Sequence, residues 1–147
     1  MRTDLYAEVQ MFYAYQMPLL EDRCPEEFAA TYTPDAVIEH TSGLFKLTGR
    51  REIAGGIELS IQTYGGKAFR HWYNHLQVAE AGDEIHTRFT AIVSVTGESG
   101  LVTWEPSCTV RDILVRQNGK LAVRHRIMRH DVADMSFVWA GQYDQSR

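Results

Sequence analysis

The chain predicts an α+β fold: three N-terminal helices packed in a strongly curved, mainly antiparallel sheet. Three observations predict it. Apolar residues in the first third recur at helical steps. From Lys67 onward, long stretches alternate apolar and polar residues and are separated by turn dipeptides. Asn118-Gly119 joins the last two alternating runs, and both residues tolerate the positive φ of a type I′ hairpin turn.

The elements follow in order. Leu5, Val9, Phe12, Tyr13 and Gln16 share one helical face. Pro18 should end or kink that helix. Pro25 suits a first helical position, with Glu26 and Glu27 in the favourable first turn of a short helix reaching Thr31. Thr33-Pro34-Asp35 reads as a turn and Ala36 to His40 as a short strand. A third helix begins near Gly49 and ends at Gly65-Gly66. Four antiparallel strands then form a meander: Phe69 to Ala79, Glu84 to Thr96, Leu101 to Arg116 and Lys120 to His130. Pro106 marks a bulge or an edge. Phe69, Trp72, Tyr73 and Leu76 also fit a helical stripe, but the Ala81-Gly82-Asp83 turn signal after them favours a strand. Long twisted strands curl, and helices in the concave side enclose a cavity.

Composition bounds the function. A chain of 147 residues, 44% apolar and 23% charged, is expected to be one domain, 1–147, with a real core. A net charge of −4 argues against nucleic-acid or anionic-membrane partners. No apolar run approaches the roughly 20 residues that span a bilayer. The N-terminus MRTDLYAEVQ carries acidic residues where a signal peptide has an apolar core, so a cytoplasmic location is expected. Cys24 and Cys108 are then free thiols with a packing role. No metal site is expected: there is no HExxH, and His71 and His75 on a strand lie about 13 Å apart.

Candidate chemistry centres on the last strands. Asp112, His125 and Arg126 stand among Val110, Leu114, Leu121 and Val123, which means either a structural polar network or a reaction pocket. His125 is in step with Leu121, Val123 and Ile127 and so faces the core, as a general acid or base or as a hydrogen-bonded core histidine. His71 and Trp72 are adjacent and face opposite ways; Trp72 is in step with Leu76 and Val78, which favours Trp72 inside. Asp112 and Arg126 sit on facing strands across the Asn118-Gly119 turn, whose register pairs them only approximately, and such a partly buried pair is structural more often than catalytic. Asp35 is a candidate carboxylate at the pocket or a turn residue after Pro34. Asp131 is a base or an exposed terminus. Tyr13 lies on the apolar stripe of the first helix, where its hydroxyl reaches a substrate or completes the core. Trp72 and Trp104 offer flat walls to a polycyclic ligand, with His75 and Arg88 as further polar contacts; Arg88 otherwise belongs to a solvated face. The tail from Val132 to Arg147 is too apolar for a disordered end and reads as a lid or as edge packing.

Four stretches resemble the SnoaL-like proteins of the nuclear transport factor 2-like superfamily, which act in bacterial polyketide pathways. They are Glu8 to Leu20 (EVQMFYAYQMPLL), Phe28 to Ala36 (FAATYTPDA), Arg70-His71-Trp72, and Asp112 to Asp131 (DILVRQNGKLAVRHRIMRHD). The resemblance implies a cone-shaped fold. It also implies a cofactor-independent cyclase, dehydratase or isomerase with a hydrophobic aromatic substrate, and favours a histidine of the Arg70-His71-Trp72 segment in the pocket. The catalytic candidates are then His125, His71 and Asp35, and the ligand contacts Tyr13, Trp72, His75, Arg88 and Trp104. A noncatalytic ligand-binding protein and a structural subunit of an oxygenase are the alternatives. Ile92, Ile113 and Val115 on the other sheet face predict a homodimer.

Overall fold

A computed structural model describes residues 2–132. Helix α1, Thr3–Glu21, buries Leu5, Val9, Tyr13, Gln16 and Met17, the stripe its periodicity predicts. It does not end at Pro18. Proline deletes one amide donor, and only the Ala14 carbonyl loses a bond. The last turn is held instead by Asp22 N–H to Pro18 O and Cys24 N–H to Leu19 O, both 2.8 Å. Helix α2 spans Pro25–Ala30. Helix α3, Gly49–Gln62, buries Ile53, Ala54 and Ile61, and the Glu52 carboxylate accepts the Thr48 N–H at 2.7 Å.

The strands are β1 Tyr32–His40, β2 Lys46–Thr48, β3 Ala68–Ala81, β4 Glu84–Thr96, β5 Val102–Trp104, β6 Cys108–Gln117 and β7 Lys120–His130. Their order is β2-β1-β7-β6-β4-β3, with β5 also pairing β4. Among the described strands only the β1–β7 pairing is parallel. The helices cover the concave face, where Tyr13, Phe28, Tyr32, Phe89 and Leu114 form the fully buried centre. This is an α+β cone.

Three boundaries differ from expectation, each for a local reason. Strand β1 starts at Tyr32 rather than Ala36. Its pairing with β7 slips between Tyr32 and Val37, so Pro34 sits where no ladder donor is needed. The expected strand Leu101 to Arg116 is two strands, parted at Glu105-Pro106-Ser107. Strand β2 was not anticipated, because three residues carry no readable alternation. The tail from 133 to 147, and with it the lid expectation, lies outside the described residues.

Two bulges decide which side chains face inward. In β7, Ile113 opposes His125 and Leu114 opposes Val123, so Arg124 is an extra residue. Leu121 and Val123 face inward before it, Arg126 and Met128 after it. In β3, Asn74 opposes Thr90 and Gln77 opposes Arg88, so one residue is extra there too. The positive φ of His75, 56°, marks the irregularity.

Candidate functional site

The concave face carries a saturated polar network. Arg126 Nε donates to Asp112 Oδ1 at 2.8 Å and its Nη2 to Asp112 Oδ2 at 2.7 Å. The same Nη2 donates to Gln16 Oε1 at 2.8 Å, and Gln16 Nε2 to Thr31 Oγ1 at 2.8 Å. Tyr13 donates its hydroxyl to Asp112 Oδ2 at 2.8 Å and stands 2.6 Å from Thr87 Oγ1. Burial works against the Arg126 charge, but the Asp112 carboxylate outweighs it and holds the guanidinium protonated. Burial, reinforced by Asp112, raises the Tyr13 hydroxyl well above its ordinary value. Asp112 is 2% exposed. These groups satisfy one another's hydrogen bonds within the core.

Two buried polar atoms on described residues lack a partner: Tyr32 Oη and His71 Nδ1. Arg126 lies over the Tyr32 ring, 5.6 Å from its centroid, and its charge acts on Tyr32 and His71 alike. That charge favours the Tyr32 phenolate, but no hydrogen bond of good geometry joins the pair, and burial prevails: the hydroxyl is held far above its usual range. Burial drives His71 down to about 4, with Arg126 adding to the shift and Glu21 opposing it. The 23% of the His71 side chain that solvent reaches does not include Nδ1, so desolvation of that nitrogen dominates.

A histidine pair sits at the ends of β1 and β7. Ser42 N–H donates to His40 Nδ1 at 3.1 Å, so that nitrogen carries a lone pair. His40 Nε2 then bears the proton and donates to His130 Nδ1 at 3.0 Å. Burial lowers both, and for His130 the neighbouring His40 adds to it.

The expected pocket of Tyr13, Trp72 or His71, and His125 is divided by the sheet. Tyr13 and His71 face inward. His125 is turned outward by the β7 bulge, 32% exposed, with Nε2 3.6 Å from Glu39 Oε1. Trp72 faces outward and is 56% exposed, its Nε1 donating to Ser94 Oγ at 2.9 Å. Trp104 stands opposite Ser94 on that outer face. His75 is exposed, with Nδ1 3.3 Å from Thr90 Oγ1. Arg88 pairs across the outer positions of β4. Asp35 is exposed and accepts the Thr33 hydroxyl at 2.9 Å, a turn-residue geometry. Two surface depressions, about 700 and 320 Å³, lie elsewhere: one between α1, α2 and the Asn118-Gly119 turn, the other beside Leu5 and Val78. Among the described residues no group of three or more His, Cys, Asp or Glu could hold a metal, and no helix is long and apolar enough to cross a membrane.

Sequence reasoning missed Tyr32 and Glu21. Tyr32 stood beside a Thr-Pro-Asp turn signal that hid the strand. Glu21 stood past a proline that reads as a helix end. Alternation alone does not reveal either.

Known proteins share this architecture. Aln2 from a Streptomyces species is 36% identical over 89% of this chain and 93% of its own, with a TM-score of 0.84. ActVI-ORFA from Streptomyces coelicolor is 31% identical over 90% and 99%, TM-score 0.83. A Catenulispora acidiphila protein solved in complex with S-DNPA is 36% identical over 88% and 96%, TM-score 0.80. An ntf2-like protein with a cystatin-like fold from Novosphingobium aromaticivorans, 17% identical, shares the fold with a TM-score of 0.78. No curated protein matches. The SnoaL-like domain model matches residues 1–127, and the chain belongs to that family.

Proposed function

We propose that this protein is a cofactor-independent acid/base enzyme of secondary metabolism. It would cyclise, dehydrate or isomerise a polyketide-like aromatic or oxygen-heterocyclic intermediate. The observation that carries the reading is the pair of unpartnered buried atoms, Tyr32 Oη and His71 Nδ1, beside the Arg126 charge. A buried polar atom without a partner is costly, and such groups persist where a ligand completes them. The opposite pKa directions divide the labour. His71 is neutral at pH 7 and can take a proton. Tyr32 stays protonated and can donate a hydrogen bond to a carbonyl or enolate oxygen. Arg126, already fixed by Asp112, offsets the developing negative charge without moving. The substrate class rests on the family and on the relative solved with S-DNPA.

The test uses S-DNPA as binding probe and a bicyclic aromatic β-hydroxyketone as substrate, whose loss of water is followed by absorbance. His71→Asn should keep the fold and lose roughly 10²–10⁴ in rate, the usual share of one proton-transfer group. Tyr32→Phe should lose roughly 10²–10³, as for an oxyanion donor. Full turnover in both folded variants would remove the assignment and return the role to Asp35 or His125. S-DNPA binding with no turnover of any such substrate would favour the noncatalytic ligand-binding alternative.

A further inference from the structure

We propose that Glu105 is a general acid of this site: it protonates a departing hydroxyl while His71, two strands away on the concave face, removes the proton from the neighbouring carbon. The assignment rests on the acid/base reading of His71 and deepens it. It narrows the reaction to loss of water from a carbonyl compound with a β-hydroxyl group.

Glu105 opens the link between β5 and β6. Its backbone N–H donates to Val93 O at 3.0 Å, one step beyond the Trp104–Ser94 pair. Trp104 faces outward, so Glu105 turns inward. Val93 in turn opposes His71. His71, Val93 and Glu105 therefore form one row across the concave face, with two strand spacings, roughly 9–10 Å, between the outer backbones. Aromatic rings line the same stretch. Phe69 meets the His71 ring edge-on, Tyr64 stacks on Phe69 at 4.2 Å, and the Tyr64 hydroxyl donates to Glu105 Oε1 at 2.9 Å. A base and a carboxyl group thus flank one strip of sheet floored by Val93. A flat substrate laid on that strip presents a C–H to one side and a leaving hydroxyl to the other.

The side-chain partner of Glu105 is a neutral hydroxyl rather than a cation. Burial raises the Glu105 carboxyl, and the Tyr64 hydrogen bond opposes this without cancelling it. Its other titratable neighbours bring no charge: burial holds Tyr64 far above its usual range and Cys108 up at about 11. Glu105 therefore keeps its proton to higher pH than an ordinary carboxyl, while His71 is already neutral above about 4. In the step, His71 takes the proton from the carbon next to the carbonyl. The C–H electron pair becomes the new C=C bond, and the C–O pair leaves with the oxygen. The Glu105 proton goes to that oxygen, so the products are an unsaturated ketone and water. The imidazolium then returns its proton to solvent and the carboxylate takes one back. Tyr64 bonds Oε1 most strongly once Glu105 is a carboxylate, so it favours the state that the step creates.

The measurement compares two substrates on the full chain: the bicyclic aromatic β-hydroxyketone and its β-acetoxy counterpart, whose acetate leaves without a proton. Glu105→Gln still accepts the Tyr64 hydroxyl. It should lose roughly 10²–10⁴ in rate on the hydroxyketone and far less on the acetoxyketone. His71→Asn should slow both. The alkaline limb of the hydroxyketone kcat/KM profile, where Glu105 gives up its proton, should be missing in Glu105→Gln. Tyr64→Phe keeps the acid and removes a donor to its carboxylate. It should lose roughly 10–10²-fold on the hydroxyketone alone and move the alkaline limb to higher pH; it carries the test if Glu105→Gln does not fold. Wild-type speed of Glu105→Gln on the hydroxyketone, or equal losses on both substrates, overturns the acid and leaves Glu105 a structural partner of Tyr64. A wild type that turns over only the acetoxyketone, or neither, overturns it as well. The two proposals fail separately. Hydroxyketone turnover that survives His71→Asn and is lost in Glu105→Gln would remove the base and leave the acid standing.

Discussion

Asp112 and Arg126 stand directly opposite each other on β6 and β7, and one guanidinium occupies both oxygens of the carboxylate. The pair is buried, so removing one partner strands the other charge. Asp112→Ala is expected to cost about 3–5 kcal/mol, read by urea unfolding. Asp112→Leu combined with Arg126→Met should recover part of that loss, because replacing both charges with apolar groups removes the stranded charge. Two losses that simply add would mean the pair is not coupled as the geometry requires.

Tyr13 and Tyr32 are both fully buried tyrosines, and their hydroxyls predict opposite outcomes. Tyr13→Phe takes a donor from Asp112 and a partner from Thr87 and should cost about 1–3 kcal/mol. Tyr32→Phe removes a hydroxyl that has no partner, so stability should hold or rise. Ligand binding or turnover should fall in Tyr32→Phe. Thermal melting of the two variants side by side checks the contrast, and a large destabilisation by Tyr32→Phe would show that its hydroxyl has an internal partner.

The sheet was largely legible because alternation and turn chemistry agree: Glu84–Thr96 and Lys120–His130 end where their turn residues begin. The inward residues were less legible because a bulge inverts alternation without leaving a mark in composition. His125 is in phase with Leu121 and Val123 by count, but Arg124 is one residue too many, so Arg126 takes the inward place. The β3 bulge explains the helical look of Tyr73 and Leu76, whose three-residue step still brings both toward the core. The Asn118-Gly119 turn placed Asp112 and Arg126 on facing strands, but counted straight from the turn Asp112 would oppose His125; the extra Arg124 brings Arg126 opposite it. Tyr32 and Glu21 could not be anticipated, since their roles come from contacts between distant segments.

Acid should unfold the protein earlier than its carboxylates alone require. His71 is depressed to about 4, and His40 and His130 are also lowered, all with burial as the main cause. Below the unfolded histidine value of about 6.5, the unfolded chain binds protons that the folded chain refuses. The stability from these neutral histidines is full above that value and is lost as pH falls toward 4. Urea midpoints between pH 7.5 and 4.5 should therefore drop steeply, and His71→Asn should flatten the slope. An unchanged slope in that variant would mean His71 protonates freely in the folded state.

The outer sheet face predicts association. Trp72 and Trp104, each 56% exposed, flank Ser94, with Ile92 opposite Trp72 on the same face and Leu101 and Val102 exposed nearby. Along the same face the strip gives way to charge, first Arg88 opposite Arg111 and then the Glu84–Arg124 and Glu84–His86 pairs at the other end of β4. An apolar centre with a polar rim is the layout of a protein interface. Two copies packed sheet to sheet about a two-fold axis would bring the strip of one protomer onto that of its partner. A stable contact of this kind buries on the order of 800 Å² per protomer. Light scattering at micromolar concentration should read twice the monomer mass. Trp104→Glu should return the monomer with its circular dichroism unchanged, because that ring is outside the core. A wild-type protein that scatters as a monomer would leave the strip unexplained by self-association, and a dimer indifferent to Trp104→Glu would place the interface elsewhere.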